Sequence, residues 1–236
     1  KLSEMAGKEP ISRMGQTRIY KKPEPGGIYA IALDPSLGTG GNYAAIEVIE
    51  LPSFEQVAEW HHNMTPIQGQ IKILREILNW IVDHVGPENA NSIYWSIENN
   101  NIGEAGLVVI RDIGEENFPG MFVSEPIRKG HVRKFRKGFN TTNKAKLTAC
   151  NKFKILVESG RMKLYSKPLI SELKTFVAHG GSYAAKPGET DDLVMGSLLA
   201  VRMLMLLQTY HAELDTRMKD HSDNIIEPMP FISMLR

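Results

Sequence analysis

Cysteine is nearly missing from this 236-residue chain: Cys150 stands alone, so no intrachain disulfide can form and a four-cysteine zinc site is excluded. Long apolar runs are missing too. The strongest one, Leu193 to Leu207, is interrupted by Gly196, Ser197 and Arg202, which suits a buried helix, and no transmembrane segment is expected. No apolar signal region precedes the first strand, and a chain beginning at Lys1 reads as a piece of a longer polypeptide. A Gly-x-x-x-x-Gly-Lys-Ser/Thr element is absent, so the chain is not expected to hydrolyse ATP alone.

Net charge is nearly lacking as well, at +1 from 28 basic and 27 acidic residues, which taken whole argues against a strongly basic nucleic-acid binder. The distribution reverses that reading. The 32 residues from Pro126 to Val157 hold no Asp or Glu and ten basic side chains: Arg128, Lys129, Arg133, Lys134, Arg136, Lys137, Lys144, Lys146, Lys152 and Lys154. Removing those ten leaves 18 basic against 27 acidic residues, or −9, for the remainder. Potentials act locally, over a Debye length of about 8 Å in physiological salt, so an acidic body with one cationic segment differs from a neutral protein.

With 42% hydrophobic and 23% charged residues the chain has the composition of a globular protein large enough to bury a core without staples. Residues 1–27 are polar and end in Lys21-Lys22-Pro23-Glu24-Pro25-Gly26-Gly27, which reads as a flexible linker, and the folded unit is expected to start at Ile28. Ile28–Leu33, Tyr43–Ile49 and Gln56–His62 form short apolar runs separated by turn residues, the mark of an antiparallel meander. Thr65 and Pro66 then offer an N-cap and first turn for a helix whose Ile67, Ile71, Leu74, Leu78 and Ile81 recur at helical spacing up to Gly86-Pro87. Further on are a strand over Ser92–Ile97, a helix over Glu104–Ile113, a short strand over Gly120–Val123, and helices over Thr142–Ser159, Leu169–Ala178 and Asp191–Tyr210. Met162–Tyr165 is a short strand or turn, and about Ala212–Arg236 is a tail. The order predicts one α/β domain, a three-layer unit with a central mixed sheet flanked by helices over 28–210.

Acids stand at the ends of three such elements, where a side chain can face a cleft. Asp34 closes the first apolar strand and opens the glycine-rich turn Pro35-Ser36-Leu37-Gly38-Thr39-Gly40-Gly41, though it also fits an ordinary Asx-type turn. Glu98 follows Ile93–Ile97 and precedes Asn99-Asn100-Asn101, itself compatible with a plain polar loop. Asp191 and Asp192 sit in the first turn after Thr190, where the helix dipole favours carboxylates by about 0.3–1 kcal/mol; one acid would serve that purpose. Together the three positions can converge in an RNase H-like domain, and hard oxygen ligands of this kind suit Mg²⁺ or Mn²⁺.

At these residues the chain resembles a known family. Ala32-Leu33-Asp34-Pro35-Ser36 with its glycines, Ser96-Ile97-Glu98-Asn99-Asn100, and Glu189-Thr190-Asp191-Asp192-Leu193-Val194-Met195 look like the three acidic motifs of the headful-packaging nuclease domain of phage large terminase subunits, most closely the T-even myovirus type. Thr141–Lys146 and Leu156–Gly160 also fit, and the likeness spans roughly 28–210. The resemblance implies an RNase H/resolvase-like fold and a Mg²⁺- or Mn²⁺-dependent endonuclease, with two ions, that cuts concatemeric double-stranded DNA during packaging. It assigns Asp34, Glu98 and Asp192 to the metal-binding and catalytic triad and Asp191 to an accessory ligand. It also implies an ATPase domain preceding residue 1, the portal protein and small terminase subunit as partners, and a place at the viral prohead in the host cytoplasm, neither secreted nor at a membrane. Relatives can carry further acids in the glycine-rich turn; Leu37 and Asn42 stand there instead.

In that setting Arg128, Lys129, Arg133, Lys134, Arg136, Lys137, Lys144 and Lys146 are candidates for DNA contact, since cations flanking an acidic cleft would hold a phosphate backbone that the acids repel. Phe135 and Phe139 among them could pack the loop or touch sugars, and a merely solvated loop is the plainer reading. His61 or His62 could approach the site, although a packed or exposed histidine is the commoner outcome. Two other classes compete: a noncatalytic DNA-binding or docking module of the packaging motor, and an actin-like nucleotidase or kinase suggested by Asp34 and its turn, which would need a second domain and phosphate loop.

Overall fold

The computed structural model describes residues 2–129 and 132–210. Its strands and helices in chain order are β1 (Ser12–Met14), β2 (Thr17–Ile19), β3 (Ile28–Asp34), β4 (Ala44–Leu51), β5 (Glu55–His62), α1 (Ile67–Val85), β6 (Ile93–Ile97), α2 (Asn101–Ile113), β7 (Met121–Phe122), β8 (Glu125–Lys129), β9 (Val132–Arg136), α3 (Asn143–Glu158), α4 (Lys167–Thr175), β10 (Phe176–His179), β11 (Ser182–Ala185) and α5 (Asp192–Tyr210). The central sheet has seven strands in the order β1-β2-β5-β4-β3-β6-β7. The β3-β4-β5 meander is antiparallel, whereas β6 joins β3, and β7 joins β6, in parallel. The sheet is therefore mixed, and helices cover both faces, as the three-layer reading predicts.

Period-two alternation in β3 sorts its side chains between two cores. Tyr29, Ile31 and Leu33 face α1, whose Ile71, Leu74, Ile77, Leu78 and Ile81 are buried against them. Ala30 and Ala32, with Ala45 of β4, face α5. These small residues let the long helix lie close to the sheet: a Cβ added at Gly196 would sit 3.5 Å from Cβ of Ala45. The apolar character of α5 follows from this burial, with Leu193, Val194, Leu198, Leu199, Ala200, Val201, Met203 and Leu204 all shielded from water. Its length and hydropathy would suffice to cross a membrane, but they are used here to fill the core between the sheet, α3 and α4.

The structure departs from the sequence expectations in four places. Residues expected to form a linker instead supply β1 and β2, and β2 extends the sheet by pairing Arg18 with Glu59 and Ile19 with Ala58. Thr17, Ile19 and Tyr20 are buried, and Lys8 N–H donates to Tyr165 O at 2.9 Å, so the folded unit begins before Ile28. The strand is too short, and too heavily flanked by polar residues, for its alternation to register as a period. Next, the segment expected to continue a helix to Ala178 turns at Phe176 into the β10–β11 hairpin, with Gly180 and Gly181 (φ +55° and +78°) at its tip. The cationic segment likewise folds back as the β8–β9 hairpin. Finally, Thr65 does not cap α1: its hydroxyl pairs with His62 Nδ1 at 2.7 Å and Pro66 occupies the N-cap. The expected tail, 211–236, lies outside the described residues.

Candidate metal centre

Parallel pairing of β3 with β6 brings both strands out at the same end of the sheet, so Asp34 and Glu98 emerge side by side. Glu98 N–H donates to Leu33 O at 2.9 Å, and the backbone at Glu98 bridges to Phe139, tying the start of the acidic loop to both neighbours. The first turn of α2 rests directly on this point: a Cβ at Gly103 would fall 1.8 Å from Glu98 O, so only glycine fits. The turn after Asp34 is held by the buried amide of Gln70. It accepts from Ser36 N–H at 3.2 Å and donates to Ser36 O at 2.8 Å and to Thr65 O at 2.7 Å. Gly38, at φ +70° with Thr65 O only 2.1 Å from where a Cβ would be, completes a turn that other residues would strain.

From the opposite side the N-terminus of α5 delivers the third acid. Asp34, Glu98, Asp191 and Asp192 line one cleft of about 520 Å³, together with Ser36, Thr39, Asn42, Tyr43 and Asn100. The two adjacent aspartates differ. Asp191 Oδ2 accepts from Ala185 N–H at 3.4 Å and lies 3.8 Å from Lys146 Nζ. Asp192 instead joins His61 and Glu172, with one potential ligand atom from each lying within 4.8 Å of the others.

Electrostatics set this cleft apart. Burial, then the negative charge of Glu98 and a hydrogen bond to it, push the Asp34 carboxyl well above the usual range; Asp192 and Asp191 add to the effect. Burial raises Asp192 to about 6, with repulsion from Asp191 adding and a backbone hydrogen bond from Tyr43 opposing. Glu172 is raised to about 7 by burial, although Val194 N–H and Thr190 Oγ1 both donate to it at 3.0 Å. His61 moves the other way, down to about 4, because burial and the charges of Arg18 and His62 disfavour imidazolium. Glu98 Oε1 is buried with no hydrogen-bond partner among the described residues, as are Ser36 Oγ and Asn99 Oδ1. Crowded, desolvated carboxylates with an unsatisfied oxygen are the donor set of a hard divalent cation, and the residues present fit Mg²⁺ or Mn²⁺.

The candidate DNA contacts divide. The β8–β9 hairpin is rooted beside the acids, through Glu125 N–H to Gly138 O and Phe139 N–H to Ile97 O. Arg128 and Arg133 are cross-strand partners on it, Lys129 ends β8, Lys134 and Phe135 are exposed and Arg136 is half-buried. Lys144 is exposed in the first turn of α3. Lys137 is ion-paired with Glu115 and lies 5.5 Å from the Phe122 ring, and Lys146 faces Asp191. Those two cations already have acidic partners, so they are less free to meet a phosphate than the hairpin's other cations and Lys144. Phe139 is buried in the core, which settles its role as packing.

Glu172 and Gln70 went unread in the sequence. Both are polar residues on the buried face of an amphipathic helix, beside Leu169 and Ile170 in one case and Ile71 in the other. Such a side chain reveals itself only once the helix register is fixed by packing.

Comparison with known proteins supplies the lineage. The family described as the terminase RNase H-like domain matches residues 31–204. Among solved structures, the large terminase nuclease of thermophilic phage G20c with bound magnesium superposes with a TM-score of 0.62 at 16% identity, covering 85% of this chain and 94% of that one. The large terminase nuclease domain of Thermus phage P74-26 gives 0.59 at 17% identity over 85% and 92%. A manganese-soaked, inhibitor-bound human cytomegalovirus terminase nuclease domain gives 0.51 at 14% identity over 80% and 86%.

Proposed function

The chain belongs to the family of terminase RNase H-like domains, and on that premise we propose that it is a Mg²⁺- or Mn²⁺-dependent endonuclease that cuts concatemeric double-stranded viral DNA during genome packaging. The convergence of Asp34, Glu98 and Asp192 on one cleft, with a buried Glu98 oxygen left without a partner, carries this reading. The carboxylates would hold two divalent cations, and the cations, when bound, supply Lewis acidity at the scissile phosphodiester. The chain's own groups do the rest. Glu98 and Asp34 are oriented by the parallel β3–β6 pair, Gln70 fixes the turn that follows Asp34, and Lys146 offsets the charge of Asp191 so that the cleft is not more anionic still.

The β8–β9 hairpin, with Lys134, Arg136 and the strand residues Arg128, Lys129 and Arg133, together with Lys144 of α3, would grip the phosphate backbone without reading bases. The resemblance of the acidic motifs is what supports the finer readings: a T-even type, a preceding ATPase domain, docking to portal and small terminase subunit, and work at the prohead in the host cytoplasm.

The test is plasmid cleavage with Mn²⁺ against EDTA. Asp34→Asn, Glu98→Gln and Asp192→Asn should each reduce cleavage to background with an unchanged circular dichroism spectrum. Wild-type-like nicking by all three would overturn the assigned triad, and DNA binding without any metal-dependent cleavage would leave the chain a docking module. Charge reversal at Lys134, Arg136 and Lys144 should weaken DNA binding and flatten its salt dependence.

A further inference from the structure

Behind Asp192, outside the residues that line the cleft, stand two further ligand-capable side chains, His61 and Glu172. Asp34 is paired opposite Ala45, and Ala45 opposite His61, so the three side chains form one row on the same face of the sheet. His61 sits in that row with its ring stacked on Tyr43, centroids 4.2 Å apart, which fixes its orientation. Its Nε2 is buried and finds no hydrogen-bond partner among the described residues. The nearest Glu172 oxygen is 3.9 Å away, too far for a hydrogen bond, yet within the roughly 3 to 4 Å that separates two ligands of one cation bound about 2.1 Å from each.

Glu172 is oriented in advance. Thr190 Oγ1 donates to Oε1 and Val194 N–H to Oε2, which leaves each oxygen a free lone pair and ties the carboxylate to the first turn of α5, where Asp192 begins. A ring nitrogen without a partner thus faces two carboxylates contributed by two other elements.

We propose that His61 Nε2, Glu172 and Asp192 form a nitrogen-containing cation position beside Asp34 and Glu98, with Asp192 shared between this position and the triad. An imidazole ligand favours first-row transition ions over Mg²⁺, which keeps to oxygen, so this position discriminates against Mg²⁺, and Mn²⁺ is the paramagnetic probe that reports on it. The inference rests on the metal-dependent nuclease reading and adds a chemically distinct ligand to it.

Electron spin echo modulation of the Mn²⁺-loaded protein tests it, run beside a Mn²⁺ binding isotherm and plasmid cleavage. The expected result is ¹⁴N modulation from one directly bound imidazole, lost in His61→Gln and retained in Asp34→Asn. Glu172→Gln should weaken Mn²⁺ binding at this position by about tenfold or more. Mn²⁺ binding and cleavage with no ¹⁴N modulation, or with modulation that survives His61→Gln, would overturn the site and leave the nuclease reading standing. Neither Mn²⁺ binding nor cleavage would overturn both.

Discussion

Glu59 and Asp192 are both carboxylates withdrawn from water, yet their surroundings differ in kind. Glu59, on β5 near the sheet edge, is fully buried, and its Oε1 accepts from Arg18 Nη1 and Tyr20 Oη, each at 2.9 Å. Nearby, Glu50 receives Lys21 at 2.6 Å; beyond the sheet, Glu125 receives Arg202 at 2.5 Å. In the cleft, by contrast, Asp34, Glu98 and Asp192 have no lysine or arginine within 4.0 Å among the described residues, and Asp192 faces Asp191 besides. Where the fold needs a buried acid for structure it supplies a cation from its own chain. Where it leaves acids crowded and uncompensated, the missing positive charge has to come from outside. Glu47 marks the boundary. It lies opposite Glu59 and receives one bond from Gln56 at 3.0 Å, while its other carboxylate oxygen is buried without a partner among the described residues; burial with the charge of Glu59 pushes its carboxyl well above the usual range.

Breaking the contrast at its paired end should have the largest effect. Arg18→Met strands Glu59 as a buried, unpaired charge and should cost roughly 3 kcal/mol, read as a lower urea midpoint with an unchanged m-value. Adding Glu59→Gln to it should recover most of the loss. An undiminished midpoint in the single variant would remove the distinction between the two regions.

At the unpaired end, metal should act as the absent partner. The raised carboxyls of Asp192, from 3.8 to about 6, and Glu172, from 4.5 to about 7, bind protons in the folded chain that the unfolded chain has already lost. Their contribution to metal-free stability is therefore present below about pH 4 and lost as pH rises to about 7. Divalent metal should reverse that loss. With Mg²⁺ at about 100 times its Kd the gain is about 2.7 kcal/mol, and thermal melts should show a larger rise at pH 8 than at pH 5. Equal gains at both values would contradict the assignment.

Relieving the cleft by substitution should do less. Asp34→Asn removes one of the mutually repelling charges and should stabilise the metal-free protein by about 1 kcal/mol at pH 8 while abolishing cleavage. Smallest of all, Lys72→Ala removes an exposed i,i+4 pair with Glu76, 3.8 Å apart, and should move stability by no more than about 0.5 kcal/mol.

Much of this was legible in the residues. The apolar positions of α1 recur at 3.6-residue spacing, β3, β4 and β5 are bounded by turn residues, and Asp34, Glu98 and Asp192 stand at element ends where a cleft can form. Less legible were elements whose signal is shared across distance. The three residues of β2 become a strand because β5 offers them an edge, and Phe176–His179 becomes a strand because Ser182–Ala185 folds back on it. Glu172 was hidden for a related reason, and His61 was legible only as one of two histidines that could approach the site. A buried acid on α4 and a histidine on β5 mean little until α5 places Asp192 between them.

Local pattern determines the longer helices and strands and where the chemically capable residues stand, because capping, turn geometry and apolar period act within a few residues. Which carboxylates share a cleft is decided over more than a hundred residues. The parallel β3–β6 pairing, the antiparallel β4–β5 pairing, the close seat of Gly196 against Ala45 and the bonds from Thr190 and Val194 to Glu172 place Asp34, Glu98, Asp192, Glu172 and His61 at one end of the sheet. Whether a buried acid is met by an arginine or left for a metal depends on packing, since charge compensation works across space and not along the chain.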